Sequence, residues 1–510
     1  MYIPVLNPST AASLYMQIYE SIKLDLISNR LLTGTRLPSK RLLASQLGIS
    51  VNTVDAAYQQ LVSEGYLEAR ARSGYYICDL GSHISRADSS LSGIVERSTP
   101  VLVAREPSAK HFHGSESGTI TDPGVQIEID LGSKASAPPV IDFSPNGVDI
   151  SALPLAKIRK AIREVFEEDG VSAFSSCDPQ GAVSLRNALC KYLRESRGLL
   201  CHPDQIILGA GTDYILQLLV QILRSVHDIH SVAMENPVYN KAYQIFTGLQ
   251  VPVDLIPLDK YGIHMESLSL SRSNLVYTTP SHQFPLGIIM PVSRRTELLA
   301  WASAAPDRYI IEDDYDSEFR YAGRPIPAIS GLDIQNRVIY LGTFSKSLAP
   351  SVRISYLAVP PDLLLAFRKN LSYYNTTITH PDQLVLARFI VSGDFERHIN
   401  RMRTLYRRKR DLFLQALSPY KQKLQISGTD AGLHLLCRVR NGMTEEELVE
   451  NAKKAAAKVY GISSYYLFDK TSDAASRPVP PKSTVLLGYA SLSDDQIIRG
   501  VSSLAEVWQL

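Results

Sequence analysis

Residues 340–356 read YLGTFSKSLAPSVRISY, and this stretch decides how the larger part of the chain is interpreted. Lys346 follows an apolar run that predicts a β-strand. It lies in a loop with Thr343 and Ser345, seven residues before Arg353. An aldehyde cofactor needs a lysine whose amine becomes neutral, while hydroxyl groups and an arginine hold a phosphate. A solvated lysine after a strand is the alternative, so the interpretation depends on the neighbouring motifs.

A cluster of carboxylates ends a second predicted strand, in the run YIIEDDYDSEF that begins at residue 309. A buried carboxylate that pairs with a pyridine nitrogen keeps that nitrogen protonated, and the ring then acts as an electron sink. Asp313 is the candidate for this role, and Asp314 is the competing choice. Tyr315 is placed to hydrogen-bond a ring hydroxyl. A metal site is not expected, because no matching histidine or further acidic motif accompanies the cluster.

Three more loops follow predicted strands upstream of this cluster. The run IILGAGT leads from a strand through a glycine-rich turn into a helix, so the backbone amides of Gly211 and Thr212 are expected to face an anion. Tyr239 follows the next strand and is suitable for stacking on a flat ring. His282 lies in a polar loop after another strand. Ligands of open α/β sheets gather at the carboxyl ends of the strands, so these loops are expected to form one site.

The chain divides into three zones. From residue 141 to residue 510, short apolar runs alternate with amphipathic helical patterns, which predicts an α/β domain with a mainly parallel sheet and helices on both faces. Residues 81–140 are rich in glycine, serine and proline and are predicted to be a flexible linker, because they bury too little apolar surface to offset ordering. Residues 1–80 are mostly helical in pattern.

The first 80 residues predict a helix-turn-helix with a β-hairpin wing. Residues 14–32 have the apolar spacing of one amphipathic helix. Ser39 is the expected cap of a second helix that Gly48 ends, and Ser50 is the expected cap of a third helix. The run EARARSGYYI then predicts a hairpin whose tip carries Arg70, Arg72 and Gly74.

Basic residues outnumber acidic ones in one part of this module. The whole chain of 510 residues has a net charge of only +2, which by itself argues against nucleic-acid binding. Between residues 30 and 72, however, there are six basic residues and only three acidic ones. Such residues neutralise phosphates, while the start of a recognition helix reaches base edges. An ordinary helical domain with solvated basic residues is the alternative. The candidate DNA contacts are Arg36, Ser39, Lys40, Arg41, Ser50, Asn52, Thr53, Arg70, Arg72 and Gly74.

Composition limits the class of protein. Hydrophobic residues make up 45% and charged residues 20%, which is typical of globular proteins. No apolar run approaches the roughly 18 residues that suggest a membrane span. The first residues lack the basic and apolar regions of a secretory signal. The five cysteines form no C-x-x-C pair, which favours a reducing cytoplasm.

Both modules resemble known families. The run LPSKRLLA, followed by NTV and EGYL, resembles the winged-helix domain of the GntR regulators. The motifs TPSHQFP, IEDDYDSEFRY and GTFSKSL resemble those of fold-type I aminotransferases, which bind pyridoxal 5′-phosphate. In this order the two modules resemble the MocR (GabR-type) family of transcription regulators. That resemblance implies a head-to-tail, domain-swapped homodimer that binds paired half-sites on double-stranded DNA.

The resemblance also implies roles for single residues. Lys346 is expected to form the internal aldimine with the cofactor. Asp313 is expected to face the ring nitrogen, Tyr315 the ring hydroxyl and Tyr239 the ring face. The residues expected to surround the phosphate are Gly211, Thr212, Thr343, Ser345 and Arg353.

The chain departs from these families at three places. Val51 stands where many GntR relatives carry an arginine before NTV. The run FPLG stands where many aminotransferases have Asn-Pro-x-Gly, so His282 or Gln283 is expected to replace the asparagine. Residues 483–490 contain no arginine for a substrate α-carboxylate. Lys241 is a candidate effector contact, with a solvated lysine as the alternative.

The sequence therefore predicts a DNA-binding transcription regulator that depends on pyridoxal 5′-phosphate. An amino acid or amine effector would be sensed through aldimine exchange at Lys346. The alternative is an active aminotransferase with an appended DNA-binding domain, because the same lysine serves as the base in transamination. The absent carboxylate-binding arginine favours regulation without turnover.

Overall fold

The amino-terminal module is a winged helix-turn-helix. The computed structural model of the chain describes Pro4 and residues 13–27, 30–70, 73–78, 140–321, 327–468 and 479–510. The module comprises three helices and a hairpin: α1 Leu14–Ile27, α2 Lys40–Leu47, α3 Val51–Ser63, β1 Leu67–Arg70 and β2 Gly74–Ile77. The two strands are antiparallel, with Arg70 opposite Gly74. Arg72 and all of the predicted linker except residue 140 lie outside the described residues.

Local capping sets the helix boundaries of this module much as predicted. Ser39 Oγ accepts a hydrogen bond from Leu42 N at 3.3 Å, and Gly48 ends α2 in the left-handed region with φ 65°. Ser50 Oγ accepts from Thr53 N at 3.1 Å at the start of α3. These contacts satisfy backbone groups that a helix end leaves without partners.

The first helix is shorter than the predicted span of residues 14–32. It is helical to Ile27, and Arg30 and Leu31 lie in a bend. Leu31 N donates to Asp25 O at 3.0 Å, a span too long for an α-helical bond, and Arg30 Nε pairs with the Asp25 carboxylate at 3.1 Å. The bend buries Leu31 in the apolar cluster of the module.

The larger part of the chain has the predicted α/β architecture. Its strands are β3 Ile141–Asp142, β4 Ile206–Gly209, β5 Val232–Asn236, β6 Val253–Asp259, β7 Gly262–Ile263, β8 Leu275–Thr278, β9 Tyr309–Asp314, β10 Val338–Thr343, β11 Ser355–Ala358, β12 Leu424–Ser427, β13 His434–Val439, β14 Ala457–Lys458, β15 Tyr460–Gly461 and β16 Thr484–Gly488. Its helices are α4 Leu155–Glu164, α5 Val183–Arg197, α6 Thr212–Arg224, α7 Asn240–Gly248, α8 Met265–Leu270, α9 Val292–Ser303, α10 Pro361–Asn370, α11 His380–Val391, α12 Asp394–Leu417, α13 Glu445–Lys454 and α14 Asp494–Val507.

The main sheet is mainly parallel and covered on both faces. Its strand order is β4-β11-β10-β9-β8-β5-β6-β7. The pairs from β10 through β9, β8 and β5 to β6 are parallel, and β11 is antiparallel to both of its neighbours. Helices α6, α7 and α10 contribute to the apolar cluster on one face, and α5, α9 and α11 contribute to the clusters on the other. Double coverage explains why β5, β8 and β9 are buried at every residue.

A smaller layer packs beside this sheet. It is an antiparallel sheet of order β12-β13-β16-β15, and α12, α13 and α14 share its apolar cluster. The carboxyl ends of β5, β8, β9 and β10 therefore meet at one edge, where ligands of α/β sheets bind. Among the described helices, none combines the length and the hydropathy that crossing a membrane requires.

Candidate functional site

One cavity at the carboxyl ends of the strands brings together most of the predicted site residues. Eight of them line it: Thr212, Tyr239, Asp313, Tyr315, Thr343, Ser345, Lys346 and Arg353. The candidate effector contact Lys241 lines it as well. Four other lining residues were not predicted from the sequence: Asn146, Asp213, Thr279 and Phe284.

Lys346 lies just beyond the end of β10 and is partly buried. Burial lowers the pKa of its amine to about 8, and the nearby charge of Lys241 acts in the same direction, whereas Asp316 opposes both. The amine donates a hydrogen bond to Asn146 Oδ1 at 3.0 Å. A lowered pKa gives Lys346 a larger neutral fraction near neutral pH than an exposed lysine has.

Asp313 and Asp314 have different surroundings, although they are adjacent. Asp314 lies behind the cavity, with Oδ2 at 2.6 Å from Arg197 Nε and 2.5 Å from Tyr340 Oη. Asp313 lines the cavity and is 4% exposed. Its Oδ2 accepts a hydrogen bond from Tyr277, while Oδ1 has no hydrogen-bond partner among the described residues. Burial raises the pKa of Asp313 to about 7, and the neighbouring carboxylates add to the effect.

An anion cradle forms at the start of α6. Gly211 precedes the helix with φ +88°, a conformation that strains any other residue, and a Cβ here would lie 2.2 Å from Arg353 Nη2 and displace that guanidinium. Arg353 donates to Asp213 Oδ1 at 2.5 Å, and Thr343 donates to Ser345 Oγ at 3.2 Å. A helix N-terminus, a guanidinium and hydroxyl groups together suit a phosphate.

His282 and Gln283, the predicted substitutes for the asparagine, both point away from the cavity. His282 Nδ1 lies 2.8 Å from Asp316 Oδ2 and 3.0 Å from Tyr315 Oη, which holds the imidazole behind the tyrosine. Gln283 Nε2 donates to the carbonyl oxygens of Pro237 and Phe284. The loop therefore presents Thr279 and Phe284 to the cavity instead. His282 is not among the described residues that line the cavity, and its ring contacts Asp316 and Tyr315 instead, so a cofactor contact by His282 stays a prediction.

The ring of Tyr239 forms one wall of the cavity. It packs edge-on against Phe284 with 5.9 Å between ring centroids, and burial raises the pKa of its hydroxyl to about 12. On the opposite sheet, Leu486 of β16 is fully buried and packs in one apolar cluster with Phe284. β16 carries no arginine. The described residues that line the cavity include three cations, Lys241, Lys346 and Arg353. Of these, Lys241 is the one to which neither the aldehyde nor the phosphate of a cofactor has been assigned.

The candidate DNA contacts of the winged helix differ in their surroundings. Asn52 and Arg41 are exposed at the starts of α3 and α2. Lys40 pairs with Asp55 at 2.7 Å, which joins α2 to α3. Arg70 pairs with Glu68 at 3.0 Å and lies over the ring of Tyr76. The remaining described candidates are Gly74 in the wing, Arg36, whose guanidinium lies where a Cβ on Gly74 would point, and Ser39, Ser50 and Thr53 at the helix starts.

Comparison with known proteins identifies the family. Residues 14–77 match the family described as bacterial regulatory proteins, gntR family, and residues 138–472 match aminotransferase class I and II. The uncharacterized HTH-type transcriptional regulator YdeL of Bacillus subtilis is 39% identical over 99% of both chains. The probable rhizopine catabolism regulatory protein MocR of Rhizobium meliloti is 31% identical over 98% of this chain and 94% of that one. The chain belongs to the MocR-type transcription regulators.

The large domain of this MocR-type regulator has the aminotransferase fold. The solved structure of kynurenine aminotransferase from Pyrococcus horikoshii is 28% identical, with a TM-score of 0.61, over 72% of this chain and 91% of that one. The predicted fold class and family are thus confirmed, and the family implies pyridoxal 5′-phosphate as the cofactor.

The cavity of the MocR-type regulator fits this cofactor. The open Oδ1 of Asp313 is a buried acceptor that suits a protonated ring nitrogen. The cradle at Gly211 and Arg353 suits a phosphate, and the amine of Lys346 suits an aldehyde. The ring nitrogen, the phosphate and the aldehyde of the cofactor therefore each have a matching group in one cavity.

Proposed function

We propose that this transcription regulator senses an amino acid or amine at Lys346 and that the sensing changes how its winged helices bind DNA. One observation carries the proposal. A lysine with a pKa of about 8 shares one cavity with a buried, partly unpaired carboxylate and an anion cradle. Such an arrangement suits reversible exchange between Lys346 and another primary amine.

The residues of the cavity have distinct parts in this exchange. Pyridoxal 5′-phosphate, when bound, supplies an aldehyde that condenses reversibly with primary amines. Lys346 would hold the aldehyde of the cofactor in the resting state, and its amine is the group that an effector amine would replace. Asp313 keeps the ring nitrogen protonated, Tyr239 covers the ring face and Tyr315 binds the ring hydroxyl. The phosphate is held by Gly211, Thr212, Thr343, Ser345 and Arg353.

Regulation requires that the effector favour one arrangement of the winged helices over another. An effector shifts that equilibrium only by its differential affinity for the two arrangements. A domain-swapped, head-to-tail homodimer in the cytoplasm presents two winged helices to paired half-sites. The exposed Asn52 at the start of α3 reads base edges, and Arg36 and Arg41 neutralise phosphates. Full-length similarity to MocR-type regulators supports this arrangement.

The test of this function follows the cofactor spectroscopically. Purified wild type, Lys346→Ala and a matched control, Lys369→Ala at an exposed position in α10, are titrated with pyridoxal 5′-phosphate. Wild type and the control are expected to acquire the absorbance of the bound cofactor, and a panel of amino acids and amines is expected to alter it. The proposal is abandoned if Lys346→Ala retains the same absorbance and the same response.

The second candidate function is aminotransferase activity with an appended DNA-binding domain. It is favoured by the cavity, which keeps a lysine, an acidic partner for the ring nitrogen and a phosphate cradle, all of which transamination also needs. Incubation with amino acids and a keto-acid acceptor, with product measured over many turnovers, separates the two functions. Repeated turnover would support the enzyme, whereas at most one equivalent of product would support the sensor.

A further inference from the structure

The start of α9 packs against the winged helix. Val292 N donates to Glu64 O at 3.0 Å, and the Val292 side chain, 2% exposed, belongs to the apolar cluster of the winged helix. Leu332 packs partly against the same cluster. A Cβ on Gly65, where φ is +79°, would lie only 2.7 Å from Pro291 Cβ. The two surfaces are therefore in close contact, and a larger side chain at Gly65 would separate them.

A buried carboxylate reinforces this contact. Glu64 is 1% exposed and accepts hydrogen bonds from Tyr19 Oη at 2.6 Å and from Gln60 Nε2. Burial lowers the pKa of Arg295 to about 10, and the charges of Glu312, Asp314 and, least of the three, Glu64 oppose that effect. Burial also lowers the pKa of Arg320, where Glu64 is the largest opposing charge. The winged helix thus contributes negative charge near two buried guanidinium groups of the large domain.

A braced segment leads from this contact to the cofactor cavity. Residues 279–292 begin with Thr279 at the cavity wall, include Phe284, and end at the contact with Glu64. Met290 N donates to Pro280 O at 2.9 Å. Arg295 holds both ends of this loop, with Nη2 at 3.0 Å from Pro280 O and Nε at 2.9 Å from Met290 O. The loop is therefore braced by Arg295 of the large domain and, through Val292 N, by Glu64 O of the winged helix.

We propose that the face formed by Pro291, Val292 and Leu332 is a docking surface for the winged helix, and that residues 279–292 couple docking to occupancy of the cofactor cavity. This inference rests on the proposed function and names the route by which the cavity reaches the DNA-binding domain. The contact joins residues of one chain. Exchange of winged helices between subunits would bring the same two faces together across a dimer, so the coupling holds in either arrangement.

Coupling between two sites is reciprocal, and this makes the proposal testable without knowing the effector or the operator. Val292→Glu places a charge in the contact, while an acidic residue at a helix N-terminus is compatible with the helix itself. Val183→Glu is the matched control, because Val183 is the first residue of α5 and is 53% exposed. The dissociation constant for pyridoxal 5′-phosphate is measured for the full-length wild type and for both variants, together with hydrogen–deuterium exchange at residues 64–67.

In Val292→Glu, exchange at residues 64–67 is expected to accelerate, and the dissociation constant is expected to rise at least threefold because the loop loses its brace. Val183→Glu is expected to match wild type in both measurements. Unchanged exchange would contradict the docking surface, and faster exchange with a dissociation constant within threefold of wild type would contradict the coupling. If Val292→Glu does not fold, Leu332→Glu is measured with the same expectations. Failure of the wild type to bind the cofactor would instead contradict the proposed function.

Discussion

At the residue scale, the reactivity of Lys346 follows from its burial. Because an amine attacks an aldehyde only when it is neutral, a pKa of about 8 places the onset of full reactivity just above neutral pH. Below this pKa, the neutral fraction rises about tenfold per pH unit. For an exposed lysine with an ordinary pKa, the neutral fraction would keep rising to above pH 10. The pH at which the neutral fraction of Lys346 levels off therefore reports the environment of this one side chain.

The first prediction concerns the rate at which pyridoxal 5′-phosphate becomes covalently attached. Between pH 6 and pH 7 we expect this rate, measured by stopped-flow absorbance, to rise about tenfold, and we expect it to level off above about pH 8. Lys241→Gln removes a nearby positive charge that lowers the pKa of Lys346, so the plateau is expected to move to higher pH. A rate that still rises steeply at pH 10 in wild type would contradict the lowered pKa.

The second prediction concerns the buried carboxylate of Asp313. Its folded pKa of about 7 lies above the unfolded value of 3.8, so the folded state binds the extra proton and loses stability as the pH rises through this range. In the cofactor-free protein at pH 8, Asp313→Asn is expected to raise the free energy of unfolding by about 1–4 kcal/mol, with little change at pH 4. Urea unfolding at the two pH values measures this. An equal change in the free energy of unfolding at pH 4 and at pH 8 would contradict the raised pKa of Asp313.

Several site residues were predictable because each stands at or shortly after the end of a strand. Asp313 is the last residue but one of β9, and Lys346 and Tyr239 each lie three residues beyond the ends of β10 and β5. These strand ends meet at one edge of the sheet. Asn146 was missed because it is 200 residues from Lys346 in sequence and no local pattern links the two. The contacts of the His282 ring with Asp316 and Tyr315 were not predictable, because no local sequence pattern shows them.

At the element scale, the start of α6 depends on one glycine. The third prediction is that Gly211→Ala weakens binding of pyridoxal 5′-phosphate at least tenfold, because the added Cβ would collide with the Arg353 guanidinium and strain the positive φ. Gly248→Ala, in α7 with open space around its Cβ position, is the matched control and is expected to bind normally. The measurement is the dissociation constant for pyridoxal 5′-phosphate, obtained for both variants by absorbance titration. Equal affinity in the two variants would argue against the cradle.

The elements themselves were largely predictable. Ser39, Gly48 and Ser50 act as helix boundaries because their side chains and backbone conformation satisfy groups that the helix ends leave open. The main strands were recognisable because each contains a short apolar run, as expected of strands that are buried on both faces. The end of α1 was not predictable, because apolar residues continue beyond Ile27. One of them, Leu31, packs into the apolar cluster of the module from a bend and not from a helix.

At the scale of the whole molecule, charge is distributed unevenly. A net charge of +2 over 510 residues conceals the local excess of basic residues between positions 30 and 72, where six basic residues outnumber three acidic ones. The fourth prediction is that Arg41→Ala reduces the slope of log affinity against log salt by about one for a random-sequence duplex, because one phosphate contact is lost. Arg159→Ala, exposed on α4, is the control and is expected to leave the slope unchanged. Equal slopes for wild type and Arg41→Ala would exclude this contact.

The central claim is that an amine exchanged at Lys346 changes DNA binding. The most direct test is fluorescence anisotropy with DNA from upstream of the protein's own gene, in the presence of pyridoxal 5′-phosphate and a panel of amino acids and amines. At least one compound is expected to change the affinity of the wild type at least fivefold, in line with typical coupling energies. Lys346→Ala is expected to bind the DNA without responding to that compound. An undiminished response in Lys346→Ala would contradict the account.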